Sequence, residues 1–488
     1  MKLKIIAAIL VFVMVLPVLI GCHETVSPSI NTTSATSEST SVAETVDEEK
    51  LLYESLPEAD YEGYTFKVLN LTSNFAITTF TAESITGDVI GDAVYKRNLA
   101  VEQRLNVIIE AEEMSYKNIV STIQTQVSSN DNIYDIAYDE SWEMVALASK
   151  GCLCEADKLS LNLDNPWWNS YANESLRVGD NLYMIVGDLH TMFWESMWCV
   201  AFNKDIVTNS NLDDIYSLVE NKQWTFDKMA EMINDGSADL DGDGLMGEND
   251  CFGATTYCSG VYSPFITSCG LQLVTLNDDG TYNTDKSDKL LSVCESITNT
   301  FYSNSNVYNS GVSSKIVDNF NVLFKNGNAL FEIEVVGGVK DLRMTNINYG
   351  IVPVPMYDES QDNYISLIAQ YAAAMGIPTT SPDLERTSTI LECLAAYSRK
   401  EIRPAYYDNL LTTRSVSDIQ SSNMLDIIFS NGSFEMDLVL LKGVGYSNVI
   451  YNEMKIGGTN FSSKISASTT SINRNLEVVI ASLEKYGH

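Results

Sequence analysis

Histidine is nearly absent from this chain: only His23, His190 and His488 occur in 488 residues. With one near the start and one at the last position, His190 stands alone, and a Ser-His-Asp arrangement or a zinc site has no second histidine to draw on. The G-x-S-x-G turn, the Walker loop and the H-E-x-x-H helix are also missing, so acyl transfer, nucleotide hydrolysis and zinc proteolysis lack their parts. Basic residues are scarce, with 30 Lys and Arg against 65 Asp and Glu and a formal net charge of −35. Such a surface repels phosphate backbones, and no basic patch with interleaved aromatics offsets it, so no nucleic-acid partner is expected. Anionic lipid is repelled as well. Cysteine is sparse and unpatterned: apart from Cys22, the eight at Cys152, Cys154, Cys199, Cys251, Cys258, Cys269, Cys294 and Cys393 fall in no zinc-finger or C-x-x-C spacing. Buried free thiols are the expected state. A glycoside hydrolase needs only two carboxylates, so counting acids does not exclude one.

What is present begins at the first residue. Lys2 and Lys4 precede an apolar run from Ile5 to Ile20, and Leu19-Ile20-Gly21 stands directly before Cys22. The run is shorter than the ~20 residues of a spanning helix. Leu19 to Cys22 resembles the bacterial lipobox, which implies cleavage before Cys22, diacylation of its thiol (palmitate-type chains) and a mature protein held on the membrane. Two acyl chains anchor stably where one does not. A plain secretory signal or an N-terminal anchor helix is the alternative. Without Lys2 and Lys4 the net charge becomes about −37. Half the positions from His23 to Val46 are Ser or Thr, too polar to offset chain entropy, so residues 22–60 read as a flexible tether with order beginning between Leu51 and Tyr64.

The remaining chain is long enough for two domains, and 45% apolar with 19% charged residues makes it globular. Tyr64 to Leu71 has the period of a strand, Gly91 to Leu105 that of a helix, Asn106 to Ala111 is rich in β-formers, Tyr116 to Val127 is a second amphipathic helix and Tyr134 to Tyr138 a short buried strand. Strands alternating with helices predict a parallel sheet covered on both faces. Ligands then bind beyond the strand C-termini, where Asp139, Glu140, Ser141 and Trp142 fall.

Several blocks carry a resemblance in shared order: Gly91-Asp92-Ala93-Val94-Tyr95-Lys96-Arg97-Asn98, Asp135-Ile136-Ala137-Tyr138 with Trp142, Ala148 to Leu153, Asn165-Pro166-Trp167-Trp168-Asn169, Phe202-Asn203-Lys204-Asp205, Trp224-Thr225-Phe226-Asp227, Tyr349 to Pro355, and Arg403-Pro404-Ala405-Tyr406-Tyr407-Asp408. Together, over about residues 60 to 450, they resemble the extracellular solute-binding proteins (family 1-like), the carbohydrate-binding lipoproteins of ABC transporters. The resemblance implies an α/β fold of periplasmic-binding-protein type II, with two lobes and a ligand cleft between them. The first lobe would take residues 61–189 and 370–418, the second 190–369 and 419–488. One departure is Met356, where the branch often has a lysine, which implies a missing cation near the cleft edge.

Sugar recognition needs flat apolar faces for ring C–H groups and forked acceptors for hydroxyls, and five of the six Trp lie between Trp142 and Trp198. By correspondence with the family, Tyr138, Asp139 and Trp142 should face the cleft from the first lobe and Trp194 and Glu195 from the crossover. Glu334 should follow a strand from Ala329 to Ile333 in the second lobe, and Tyr371 should stand at the return crossover. Trp167, Trp168 and Trp224 are expected in structural positions.

Separately, Asp239, Asp241 and Asp243 take positions 1, 3 and 5 of a twelve-residue loop, with Gly244 at position 6 for the sharp turn, Leu245 offering a carbonyl and Asp250 closing. This is a calcium-loop pattern that ends in Asp where Glu is usual. A metal-free acidic turn is the alternative. The expected function is a monomeric, membrane-anchored substrate-binding component of an ABC importer on the extracellular face of the cell. It would capture a carbohydrate by hinge closure and deliver it to the permease's transmembrane subunits, with a structural Ca2+ and no organic cofactor. A lipid-anchored glycoside hydrolase and a sugar-sensing lipoprotein are the alternatives.

Overall fold

The computed structural model describes residues 50–277, 281–411 and 419–486. The signal, Cys22, most of the tether and residues 412–418 of the expected first lobe lie outside them. Residues 50–54 are helical and belong to a unit separate from the body that starts at Leu56.

The body opens with β1 (Tyr64–Thr72), α1 (Val89–Leu105), β2 (Val107–Ser115), α2 (Tyr116–Ser129), β3 (Ile136–Glu140) and α3 (Ser141–Ala148). This is the expected alternation. β1 buries Phe66 and the run Val68 to Leu71, as a central parallel strand does, while β2 alternates and carries Glu110, Glu112 and Glu113 in the manner of a protected edge. Asp88 caps α1 by accepting from the Gly91 amide at 2.6 Å, and Asn106 ends it in the left-handed conformation. Arg97 and Asn98 are buried and both donate to the Phe80 carbonyl, which gives part of the first sequence block a packing role.

A short helix, α4 (Thr191–Glu195), leads to β4 (Trp198–Asn203), α5 (Phe226–Asp235), β5 (Phe252–Thr256), a hairpin of β6 (Val274–Leu276) and β7 (Tyr282–Thr284), then β8 (Val307–Asn309), β9 (Ala329–Val335) and β10 (Tyr349–Val352). β11 (Ser366–Ile368) pairs with β13 (Gly432–Phe434), and β12 (Ala373–Gly376) returns to the first sheet. The sheet orders are β12-β3-β1-β2 and β10-β4-β9-β5-β8. β1 runs parallel to β2 and β3, but β12 is antiparallel to β3, and β4 is antiparallel to both β9 and β10. An all-parallel sheet is therefore corrected to two mixed ones: the chain crosses between lobes and re-enters each sheet from the opposite end.

Each sheet carries its own core, around Phe66, Val68 and Ile136 in the first lobe and Val200, Phe331 and Ile333 in the second. The two crossovers lie side by side, with Met197 bridged to Ile368 and the Ala369 amide donating to the Ser196 carbonyl at 2.9 Å. The C-terminal segment touches both lobes. Its helix α6 (Met436–Leu441) packs on α3, and Tyr183 Oη donates to the Leu483 carbonyl at 2.9 Å. Residues 419–488 are thus not confined to the second lobe. No helix among the described residues is long and apolar enough to cross a membrane. All eight described cysteines are free.

Candidate functional site

Between the lobes lies a cavity of ≈ 580 Å3. The first lobe supplies the loop after β1, with Ser73, Asn74, Phe75 and Ala76, and the end of β3, with Glu140 and Trp142. The crossovers give Met192, Glu195, Ser196 and Tyr371, and the second lobe gives Tyr257, Glu334, Lys340 and Asp341.

Glu195 ends α4 and is 2% exposed. Its Oε2 accepts from the Ile77 amide at 2.7 Å, and Lys340 Nζ lies 3.4 Å from Oε1. Burial pushes its carboxyl up, and Lys340 opposes that push. Lys340 also donates to the Phe75 carbonyl at 3.1 Å. One second-lobe cation thereby holds both the crossover and a first-lobe loop, in which Phe75 is 85% exposed and lines the cavity.

Glu140 accepts from Trp142 Nε1 at 2.6 Å, which fixes the indole beside the carboxylate. The start of α3 is held by the return crossover, where Ser141 donates its amide to Ala372 and its hydroxyl to Gln370. Glu334 lies within β9, which runs two residues past the expected end at Ile333 to Val335, and its Oε1 accepts from the Val335 amide at 2.8 Å. Burial pushes its carboxyl up to about 7. Gly338 makes room for it, because a Cβ there would stand 2.3 Å from Glu334 Cγ. Tyr257 packs on Trp198 and Phe320, with centroids at 5.7 and 5.4 Å.

Of the residues expected to face the cleft, Trp142, Glu195, Glu334 and Tyr371 meet on this cavity. Three others line no part of it. Tyr138 is buried between Phe80 and His190, with centroids at 5.7 and 4.9 Å. Asp139 is fully buried, its carboxyl pushed up to about 8 by burial. Trp194 is fully buried, donates to Asp188 at 3.1 Å and packs on Tyr406 and Phe429. Their places are corrected to the packed interior: the strand-end rule located the turn correctly, but the cavity wall begins one residue later, at Glu140. Met356 is also buried, bonded to Trp224 through its amide, so the departure there does not concern the cleft edge. Trp167 and Trp168 donate to the two oxygens of Glu392, and Trp224 to the Pro353 carbonyl, the structural positions expected of them.

The sequence pattern places Glu140 at the ligand end of a strand without singling it out, and it gives no sign of Tyr257 or Lys340. Phe75, not among the expected residues, carries a signal of its own: Ser73-Asn74-Phe75 follow the C-terminal end of β1 as Asp139 to Trp142 follow that of β3, an aromatic in a polar loop where ligands bind. Lys340 has no comparable signal, since its partner lies 145 residues away.

In the acidic loop, one carboxylate oxygen from each of Asp239, Asp241 and Asp243 lies within 4.8 Å of the others, and all three residues are exposed. The donor set fits a hard cation. Asp250 stands apart: its oxygens accept from the Leu240 and Gly247 amides at 2.7 and 2.6 Å, so it closes the loop on itself. Leu245 donates its amide to Asp243 and leaves its side chain exposed.

Two mixed α/β lobes joined by adjacent crossovers, with a cavity between them, define a two-lobed periplasmic-binding-protein-type fold. The same architecture appears in a cyclo/maltodextrin-binding protein complexed with maltotetraose (TM-score 0.55, 12% identity, 88% of this chain and 98% of that one). It appears also in an ABC substrate-binding protein from Listeria monocytogenes in complex with cycloalternan (0.52, 12%, 85% and 100%), and in a sugar transporter from Rhizobium etli in an open conformation (0.54, 15%, 86% and 99%). A family model described as bacterial extracellular solute-binding protein matches residues 100–403, and the chain belongs to that family. No curated protein matches the chain by sequence.

Proposed function

We propose that the protein is the membrane-anchored substrate-binding component of an ABC importer that captures a carbohydrate by hinge closure. The observation that carries this reading is the interlobe cavity, where Trp142, Tyr257, Tyr371 and Phe75 offer ring faces beside the acceptors Glu140 and Glu334. Ring C–H groups pack on the former and hydroxyls donate to the latter. Similarly folded proteins hold maltotetraose and cycloalternan. Contacts from both lobes favour the closed state, and only that difference in affinity shifts the population. A permease reads closure, and a lipid on Cys22 keeps the captured solute at high effective concentration beside it.

A thermal-shift screen over mono- and oligosaccharides tests the capture. A ligand at about 100 times its dissociation constant adds ~2.7 kcal/mol, a visible rise in melting temperature. If peptides shift it and no carbohydrate does, the substrate class is wrong. Glu140 and Glu334, on opposite lobes, also favour a second reading as a glycosidase pair; products accumulating from an oligosaccharide would establish it over capture. Anchoring is checked by Cys22→Ala, which should move the protein from the membrane fraction to the medium. For the acidic loop we propose Ca2+ at Asp239, Asp241 and Asp243, pinning a second-lobe turn. Chelation should then lower the melting temperature of the calcium-loaded protein, and Asp241→Asn should remove the effect.

A further inference from the structure

The charges on the cavity wall do not balance. Glu140, Glu195, Glu334 and Asp341 face Lys340, with no arginine or histidine among the lining residues. Lys340 is committed to Glu195 and to the Phe75 carbonyl. Neither Glu140 nor Glu334 makes an ion pair among the described residues. Glu140 has the Trp142 indole N–H for a partner; burial and then the nearby acid Glu143 push its carboxyl up, and the indole and Lys442, which pairs with Glu143 at 2.8 Å, oppose that push. Glu334 has the amide of Val335. Lys325 is the one cation that acts on it, while Glu332, two residues along the same strand, is a buried acid.

The two unpaired carboxylates come from opposite lobes, Glu140 from the end of β3 and Glu334 from β9. Both act on Tyr371 at the crossover between them: after burial, Glu334 and then Glu140 push its hydroxyl up. Glu334 and Tyr371 in turn act on Tyr257. The acids and rings therefore form one neighbourhood. Hinge closure brings the lobes, and with them the two negative charges, closer together in a site that excludes water, where like charges repel most strongly. A neutral sugar can donate hydroxyls to both but leaves the repulsion to be relieved by protonation of Glu334, whose carboxyl burial already pushes up to about 7. An ammonium removes the repulsion, and the faces of Trp142, Tyr257 and Tyr371 attract it further through their negative quadrupoles.

We propose that the captured solute is an amine-bearing carbohydrate whose ammonium group sits between Glu140 and Glu334 when the lobes close. The inference rests on the carbohydrate-capture reading and adds the sign of the ligand's charge. Binding then weakens with salt, because part of it is Coulombic. Glutamine at either position keeps the shape and the hydrogen bonds while removing a charge.

Titration calorimetry at neutral pH with a β-1,4-linked glucosamine tetramer, its N-acetylated counterpart and maltotetraose tests it. The amine-bearing tetramer should bind about tenfold or more tightly than the other two, lose affinity with added salt, and lose its advantage in both Glu334→Gln and Glu140→Gln. Apo melting temperatures of the two variants show that they fold. Neutral tetramers binding as well as or better than the amine, or a preference that survives both glutamine variants, would overturn the inference and leave carbohydrate capture standing. No heat from any of the three, with no shift in a wider sugar screen, would overturn both.

Discussion

Trp142 and Trp194 look alike in the sequence, each beside acidic residues at the end of an element, yet the fold gives them different work. Trp142 is partly exposed, and its indole N–H is held by Glu140 at the cavity; Trp194 has no exposed surface and sits among Tyr406, Phe429 and Asp188. Trp142→Ala should abolish the ligand-induced thermal shift with little loss of apo stability. Trp194→Ala should cost roughly 3–5 kcal/mol of stability, the range for truncating a buried aromatic. Chemical denaturation of both variants, with and without ligand, checks the contrast; a large apo loss in Trp142→Ala would return that residue to the core. The acceptors divide in the same way. Glu195 and Glu334 were legible through the family resemblance, which implies carboxylates at the crossover and at the comparable position in the second lobe. Asp139 was chosen over Glu140 because a one-residue difference at the strand end decides which side chain points inward, and no local signal fixes it.

Among elements, the first βαβαβ run was legible in order and type, although β2 runs four residues past Ala111 and β3 lies two residues later than expected. β1 begins at Tyr64 and α1 ends at Leu105 as read from the pattern, because buried central strands and amphipathic helices impose their periods on composition. Strand direction was not legible. β4, β9 and β12 run as they do because crossovers separate consecutive segments, and a strand carries no mark of its direction in its own residues. Close approach between elements is a further tertiary constraint. A Cβ on Gly253 in β5 would lie 1.9 Å from the Ile233 carbonyl oxygen at the end of α5, a backbone atom that no rotamer change can move. Gly253→Ala should therefore push helix and strand apart and lower stability by roughly 1–3 kcal/mol or more. The urea midpoint checks this, and an unchanged midpoint would show that the two elements yield easily.

For the whole molecule, charge and burial set a pH dependence. Burial pushes Asp139 and Glu435 up to about 8 and Glu334 to about 7, all above their ordinary range. Their contribution to stability is fully present below the ordinary carboxyl pKa and is lost as pH rises through these folded values. Burial and Arg97 push His190 down to about 3 from 6.5, so its contribution is present above 6.5 and is lost as pH falls through that interval. Above pH 6.5 the His190 contribution is complete while these carboxyls still titrate, and the melting temperature of the apo protein should fall between pH 6.5 and about 8. The net charge of −35 acts in the same direction through self-repulsion. Glu435→Gln, which keeps an acceptor for the Leu273 amide that bonds Glu435 Oε2 at 2.9 Å, should flatten the fall; a flat profile in the parent protein would contradict the assignment.

The sequence by itself determined the composition-level facts and the local ones: an acidic, globular chain without the parts of a hydrolytic triad, its first helices and strands, and an ordered series of blocks that places it among solute-binding proteins. Those properties follow from residue type and period, which act over a few neighbours. Only the tertiary structure decided which of seven nominated side chains share a wall. It brought Glu140 and Glu334 from separate sheets to one cavity, placed Lys340 on a loop 265 residues earlier, and buried Tyr138, Asp139 and Trp194. A cleft between lobes is made where crossovers return the chain, and its electrostatics depend on distances that sequence separation does not encode.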